Sequence, residues 1–310
     1  MQIDPLVSVV AAAIAAGTPL IIAALGELIV ERSGVLNLGV EGMMAVGAVT
    51  AFVVGLSSGS PVLAVLAGMA AGCLMSLLFA FLTLTMLANQ VASGLALSIF
   101  GIGLSAFIGK PYESAPMDAV AALRIPVLAD IPVIGPALFS HQSLVYFSWV
   151  LAAGTAWFLY RSRTGLVVRA VGEAPSVAHS VGYPVIAIRY AAVAFGGAMA
   201  GVSGAYLSVY YTPLWTDGMI AGRGWIALAL VVFATWRPFR VVVGAYLFGG
   251  VMTAQLFLQG SGLRIEVPAQ LLSSLPYLAT IVVLVAISRN PSIMRLNAPA
   301  SLGQPFRADA

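Results

Sequence analysis

An all-α polytopic bundle of about nine membrane-spanning helices is the fold this sequence predicts, on three observations. Apolar residues make up 61% of the 310 positions and charged residues 8%, against roughly 45–50% and about 25% in soluble domains. The mean hydropathy is +1.02; no soluble core absorbs that much apolar side chain, so lipid is the solvent for most of the chain. The apolar residues also come in runs of about 20 that are apolar on every face. They do not alternate over about 10 residues, which selects helices over a closed barrel.

Bounded by charge, Pro or Gly, the runs fall at residues 6–25, 36–56, 61–87, 91–108, 143–160, 189–211, 219–236, 241–258 and 268–287. Each is long enough to cross about 30 Å of hydrocarbon. The first follows Asp4 with no Lys or Arg before it and no small-residue cleavage signal after it, so it is expected to stay as a membrane helix. The third and sixth carry small-xxx-small spacings, Gly68 with Gly72 and Gly197 with Gly201, which let helices pack closely. The fourth opens on Asn89, Gln90 and Ser93, whose amides and hydroxyl either cap the helix or bond a polar solute. Near the start of the seventh stand Asp217, Arg223 and Trp225, the last expected as an interfacial aromatic anchor or part of an outer gate.

The whole chain, residues 1–310, is expected to form a single transmembrane domain. Two long connections interrupt it: a proline-rich one at 109–142 and a basic one at 161–188. If the basic loop is cytoplasmic, alternation leaves the N-terminus outside. Arg32, Arg161, Arg163, Arg169, Arg189, Arg237, Arg240, Arg289, Arg295 and Arg307 then lie inside, against Lys110, Arg124, Arg223 and Arg264 outside. That asymmetry is the one the positive-inside rule expects of a multi-pass plasma-membrane protein with an external 109–142 loop. The 288–310 tail is expected to be cytoplasmic, exposed and poorly ordered.

Other classes are disfavoured. The basic residues form no stripe, so nucleic acid is not expected as a partner. Cys73 is the single cysteine and is expected as a buried small hydrophobe; no disulfide framework or cysteine metal site follows. His141 and His179 lie on opposite sides of the predicted topology and are expected as surface groups. No metal site is expected, and the methionines serve as packing filler. The only lysine, Lys110, precedes Pro111, so the chain has no GxxxxGK[ST] phosphate loop and no ATPase site of that kind. No Ser/His/Asp set or carboxylate pair suggests covalent chemistry, and the chain is not expected to be an enzyme.

The residues expected to carry function sit where polarity interrupts the apolar runs. Glu27, Glu31, Arg32, Asn37 and Glu41 cluster between the first two spans. An ionisable group at membrane depth costs at least about 2.5–3.5 kcal/mol, so it usually faces a partner, water or a pathway. Glu31 beside Arg32 is expected as a loop ion pair. Asn37 and Glu41 share a helical face, which either lines a route or steadies a broken helix beside it; the bland alternative is a structural bond to a neighbouring helix. The 161–188 loop holds a short amphipathic helix punctuated by Gly172, Pro175 and Gly182, suited to filling a partner's groove.

These stretches carry a family resemblance. Residues 31–48, ERSGVLNLGVEGMMAVGA, with ANQVASGLAL at 88–97 and GRGWIALALVVFATWRP at 222–238, resemble the permease subunits of ATP-binding-cassette importers. The family is the one shared by branched-chain amino acid, simple-sugar and nucleoside systems, and the first stretch looks like its nucleoside or simple-sugar branch. In such permeases a cytoplasmic loop inserts into the ATPase; here Arg169, Gly172, Glu173, Pro175, Ala178 and Gly182 match its pattern, and Ala174, Ser176, Val177, His179 and Tyr183 depart from it. The resemblance implies alternating access, two cytoplasmic ATPase subunits carrying ATP and Mg, a second permease subunit, identical or paralogous, and an external solute-binding lipoprotein. The solute pathway is expected at Asn37, Glu41, Asn89, Gln90 and Ser93. An ion-coupled carrier with no ATPase, resting on Glu41, is the alternative from another class.

Overall fold

A computed structural model describes residues 5–260 and 297–307, with residues 274, 275, 278, 281, 282 and 285 between them. The chain runs α1 Pro5–Arg32, α2 Val40–Ser58, α3 Pro61–Ala80 and α4 Gln90–Gly109. The 109–142 connection holds a two-residue antiparallel pair, β1 Leu123–Arg124 with β2 Ser140–His141, around the short α5 Ile134–Leu138. There follow α6 Ser143–Arg161, α7 Arg163–Glu173, α8 Pro175–Ser180, α9 Val185–Ala205, α10 Arg223–Phe233 and α11 Pro238–Gly260. Among the described residues, six helices are long and apolar enough to span a membrane. The chain is a helical multi-pass membrane protein.

Three of the nine expected spans are not among these six: that at 241–258 falls in α11, a shorter apolar helix over Pro238–Ala254 among the described residues, and the other two need comment. Where 219–236 was expected to cross, α10 has 11 residues, about 16 Å of helix and half the thickness of the hydrocarbon. The apolar composition there disguises a broken helix. The span expected at 268–287 lies almost wholly outside the described residues.

Local sequence explains where the helices begin and end. Asn89 caps α4 by accepting the Ala92 N–H at 3.0 Å, Ser162 caps α7 by accepting that of Gly165 at 2.9 Å, and Ser60 does the same for Leu63 at the start of α3. Gly59, at φ 63°, ends α2 in the left-handed conformation.

Inside the bundle every backbone group needs a partner, because lipid supplies none. Pro19 interrupts α1 and frees the Ala15 carbonyl four residues earlier. Tyr206 Oη donates to that carbonyl at 3.1 Å, and Ser203 Oγ donates to the Pro19 carbonyl at 2.7 Å. The helix break is thus repaired from α9. Two residues of α9's wall do this work where the helix passes into a π-helical segment, Tyr206–Tyr211.

The two small-residue motifs of the sequence meet each other. A Cβ on Gly72 would lie 2.2 Å from the Gly197 carbonyl oxygen, and one on Gly201 would lie 2.1 Å from that of Gly68. The backbones of α3 and α9 are therefore in direct contact, with α1 and α2 packed against the same wall.

Candidate functional site

The chain between α1 and α2 does not simply turn round. After Arg32 it runs back along α4: Leu36 N–H donates to Gln90 Oε1 at 2.8 Å, Ser98 Oγ donates to the Leu38 carbonyl at 2.8 Å, and Gly42 abuts Leu97, Ser98 and Gly101. Gly42 is therefore seven to eleven residues along α4, about 10–17 Å from that helix's start. Helix α2 begins deep within the bundle, and so does its second residue, Glu41.

Glu41 is 4% exposed and faces the first turn of α10. Its Oε1 accepts the Gly222 N–H at 2.7 Å and its Oε2 the Gly224 N–H at 2.6 Å. These are donors that a helix N-terminus leaves without partners, and the carboxylate also complements the positive end of the helix dipole. Glycine is needed at both positions. Gly222 sits at φ 81°, and a Cβ on Gly224 would lie 2.6 Å from both Cα and Oε2 of Glu41. The motif at 31–48 and the motif at 222–238 thus meet in one interaction.

A cavity of about 170 Å³ adjoins this contact, bounded by Glu41, Ala45, Ser105, Trp215 and the loop 216–221. The other expected pathway residues have local tasks. Asn37 is fully buried; its side-chain oxygen accepts the Gly39 N–H at 2.9 Å and its own N–H donates to Glu27 Oε1 at 3.2 Å. Asn89 is the α4 cap, Gln90 holds Leu36, and Ser93 lies half-buried in the first turn of α4. Gln90 and Asn37 serve the two ends of the 36–39 segment, Gln90 by accepting from Leu36 and Asn37 by accepting from Gly39, and Glu41 borders the 170 Å³ cavity.

The acidic cluster at the end of α1 differs from expectation. Glu31 Oε2 accepts the Trp236 indole N–H at 2.5 Å, while Arg32 donates to the carbonyls of Trp236 and Asn297 at 3.0 and 3.1 Å. The expected Glu31–Arg32 ion pair does not form, because both side chains are used to bind the end of α10 and the tail. Glu27 Oε2 has no hydrogen-bond partner among the described residues.

The 161–188 loop folds as two helices, α7 and α8, at the same end of the bundle as the α1–α2 turn. A Cβ on Gly172 would lie 2.2 Å from the Arg32 carbonyl oxygen, so that glycine lets the end of α7 touch the end of α1. Ala178 is buried with Val171 and Val185. Arg169 is half-buried, with its guanidinium 5.6 Å from the Tyr160 ring centroid. Glu173, His179 and Gly182 are exposed, Gly182 at φ 96°, and Pro175 opens α8.

The tail was expected to be exposed; its described part, residues 297–307, is instead docked. Ser301 donates through its backbone N–H and its hydroxyl to the Gly172 carbonyl, at 3.0 and 2.7 Å. Gly303 N–H donates to the Gly34 carbonyl at 3.1 Å, and Phe306 packs on the Val171–Ala178–Val185 cluster. Buried Arg189 ties the pieces together, donating to the Ser33 carbonyl, Ser301 Oγ and the Gln304 carbonyl. Backbone pairing by small residues has no hydrophobic signature, so composition conceals it.

Two single residues also depart from expectation. His141 is buried at 7% exposure with its ring bonded to the Ala137 carbonyl, and burial lowers its pKa from the ordinary value. Cys73 is half-buried. Trp225 lies in the first turn of α10 and is 38% exposed, whereas the indole of Trp215 is enclosed, 1% exposed. A recess of about 770 Å³ between α1, α6, α7 and α9 has no charged residue in its wall and suits no polar solute.

A membrane bundle holding a half-length helix by a deep carboxylate, with paired surface helices at one end, has the anatomy of a transport subunit. The chain belongs to the family described as the permease component of branched-chain amino acid transport systems, which it matches over residues 9–287. It is 42% identical to a Haloferax volcanii protein named "Putative glucose ABC transporter permease protein", over 96% of this chain and 97% of that one. It is 35% identical to a guanosine ABC transporter permease of Bacillus subtilis, over 96% of each chain. A nucleoside ABC transporter permease of Lactococcus lactis is 34% identical over 86% of this chain and 88% of its own. No solved structure matches.

Proposed function

We propose that this chain is the permease subunit of an ATP-driven importer for neutral nucleosides, with simple sugars as the alternative solute, working by alternating access. The observation that carries the solute class is the Glu41–α10 contact. Half-helix N-termini at mid-membrane are where transporters meet anionic solute groups; here the protein's own carboxylate fills that position through two backbone bonds. A solute bearing a carboxylate, such as a branched-chain amino acid, finds its partner already taken. An uncharged solute is not disfavoured. The same bonds occupy both oxygens of Glu41, which removes the main support for an ion-coupled carrier. The names of the relatives agree with a nucleoside or sugar.

In this reading two ATPase subunits, with ATP and Mg, dock on α7 and α8 through the exposed face around Glu173, Pro175 and Gly182. A second permease subunit completes the pathway, and an external binding lipoprotein delivers the solute. In this reading the N-terminus lies outside and the tail inside a bacterial plasma membrane. The gathering of Arg32, Arg189, the 161–188 loop and the tail at one end of the bundle supports that sidedness. The pathway runs past Glu41, with Asn37, Asn89, Gln90 and Ser93 shaping the wall beside it.

The test is uptake of labelled nucleosides and glucose into proteoliposomes holding this chain with its neighbouring ATPase and binding protein. Uptake should require ATP and be lost when Glu173→Arg reverses the charge on the docking face, with the chain still inserted. Uptake that follows an ion gradient and ignores ATP would overturn the proposal.

A further inference from the structure

Segments far apart in sequence meet at one end of the bundle, and Arg189 stands between them. It lies near the start of α9 and is 1% exposed. Its Nε donates to the Ser33 carbonyl at 3.1 Å, in the turn that leaves α1. Its Nη2 donates to Ser301 Oγ at 3.1 Å and its Nη1 to the Gln304 carbonyl at 3.3 Å, both in the tail. Among the described residues Arg189 makes no ion pair. A buried charge without a counter-charge is costly; here neutral acceptors from two separate segments satisfy it, so its place is explained by what it joins. Ser301 carries the join on to the end of α7 through the Gly172 carbonyl, and Gly303 pairs with Gly34. The contact has no slack. A Cβ on Gly34, at φ 89°, would lie 2.8 Å from Arg189 Nη2 and closer still to Ser301 Oγ. Helix α8 is held from behind, since Phe306 packs with Val171, Ala178 and Val185 and its ring centroid lies 5.7 Å from that of His179.

We infer that Arg189 and the tail residues 301–306 are a third part of the coupling element: they clamp α7 and α8 to the turn between α1 and α2, so that a movement of the docking helices is passed to α2. The inference rests on the importer reading above, in which the ATPase docks on α7 and α8. Packed apolar surfaces slide past one another in shear motions, whereas a hydrogen-bonded network joins the segments it ties into one body. The line of contacts is continuous. Phe306 touches the α8 cluster, Ser301 joins Gly172 to Arg189, and Arg189 and Gly303 hold Ser33 and Gly34. From there the 33–39 segment leads through the Asn37–Gly39 bond to Glu41, whose carboxylate holds the start of α10. The planar guanidinium reaches three acceptors from a fixed fork, which a lysine ammonium does not reproduce. Arg189 is thus a positioning residue that acts through the segments it joins.

The experiment has two readouts on the full chain. The first is a spin-label distance measurement in liposomes, in a Cys73→Ala background, between Val177→Cys, exposed on α8, and Met86→Cys, exposed just before α4. Combining Ser301→Ala with Phe306→Ala should broaden that distance distribution to about twice its width, because α8 loses its rear contacts. Arg189→Gln is the independent variant and should broaden it likewise. An unchanged width in both overturns the clamp. The second readout is ATP hydrolysis and solute uptake measured together in the reconstituted transporter. The Ser301→Ala, Phe306→Ala chain should keep at least about half the hydrolysis rate while uptake falls roughly tenfold. A merely structural role would lower both in proportion. Falls in equal proportion, or uptake unaffected beside a broadened distribution, overturn the coupling role. The distance measurement needs neither ATP nor the correct solute. If the unaltered transporter shows no ATP-dependent uptake, the functional reading fails and the width alone decides the clamp.

Discussion

Glu41 and Gly224 are locked face to face: the carboxylate Oε2 accepts the glycine N–H at 2.6 Å, and there is no room for a side chain between them. The start of α10 is thereby fixed to the start of α2 inside the bundle, by bonds to a charged acceptor, each worth about 1.5–3 kcal/mol. Glu41→Ala should lower the stability of the purified chain by about 2–4 kcal/mol, because two buried donors lose their acceptor. Glu41→Gln, which keeps one acceptor oxygen, should cost less than half of that. Gly224→Ala should be at least as harmful as Glu41→Ala. Thermal unfolding in detergent checks the order, and an indifferent Gly224→Ala would contradict the contact.

Tyr206 and Pro19 form a second testable pair. Tyr206→Phe removes the donor to Ala15 and leaves a buried carbonyl without a partner, at a cost of about 1–3 kcal/mol. Replacing Pro19 by Ala restores an N–H to the helix. In the Pro19→Ala background the same tyrosine change should cost less than about 1 kcal/mol. A double-mutant cycle by unfolding measures that coupling.

The docked tail predicts protease behaviour. Ser301→Ala removes the hydroxyl that bonds both Gly172 and Arg189, and Phe306→Ala removes the apolar contact. The double variant should be cleaved within the tail at least tenfold faster than the unaltered chain under limited proteolysis, while the spans remain intact. Equal cleavage rates would mean that the tail is not held by these contacts.

His141 gives a pH dependence outside the spans. Burial holds its folded pKa below the ordinary 6.5, so the unfolded loop binds the proton more tightly than the folded one. Above pH 6.5 there is no penalty. As pH falls from 6.5 through the lowered value, the 109–142 connection loses stability. Limited proteolysis of the 109–142 connection at pH 5 and pH 7.5 should show faster cutting at the lower pH, and His141→Gln should flatten the difference.

Much of this was legible in the residues. The apolar runs identified the six long helices because their periodicity is continuous, and the small-residue spacings pointed to a contact that joins α3 to α9. The cap at Asn89 and the suggestion that Glu41 steadies a broken helix came from polar groups standing out against an apolar background. The break in α10 was hidden, since GRGW leads straight into an apolar run that looks like a full span. Trp215 was missed because a single indole in a short loop has no pattern until α4 and α2 close round it. The tail's docking depends on backbone carbonyls of Gly34 and Gly172, which every sequence possesses and none advertises.

The most direct test of the central claim, that a filled half-helix N-terminus makes this a route for uncharged solutes, is a solute panel in the reconstituted transporter. Labelled guanosine, uridine, glucose and leucine are supplied to proteoliposomes with the partner ATPase and binding protein, with and without ATP. The account predicts ATP-dependent accumulation of a nucleoside or of glucose, and none of leucine. Accumulation of leucine in preference to the neutral solutes would contradict it.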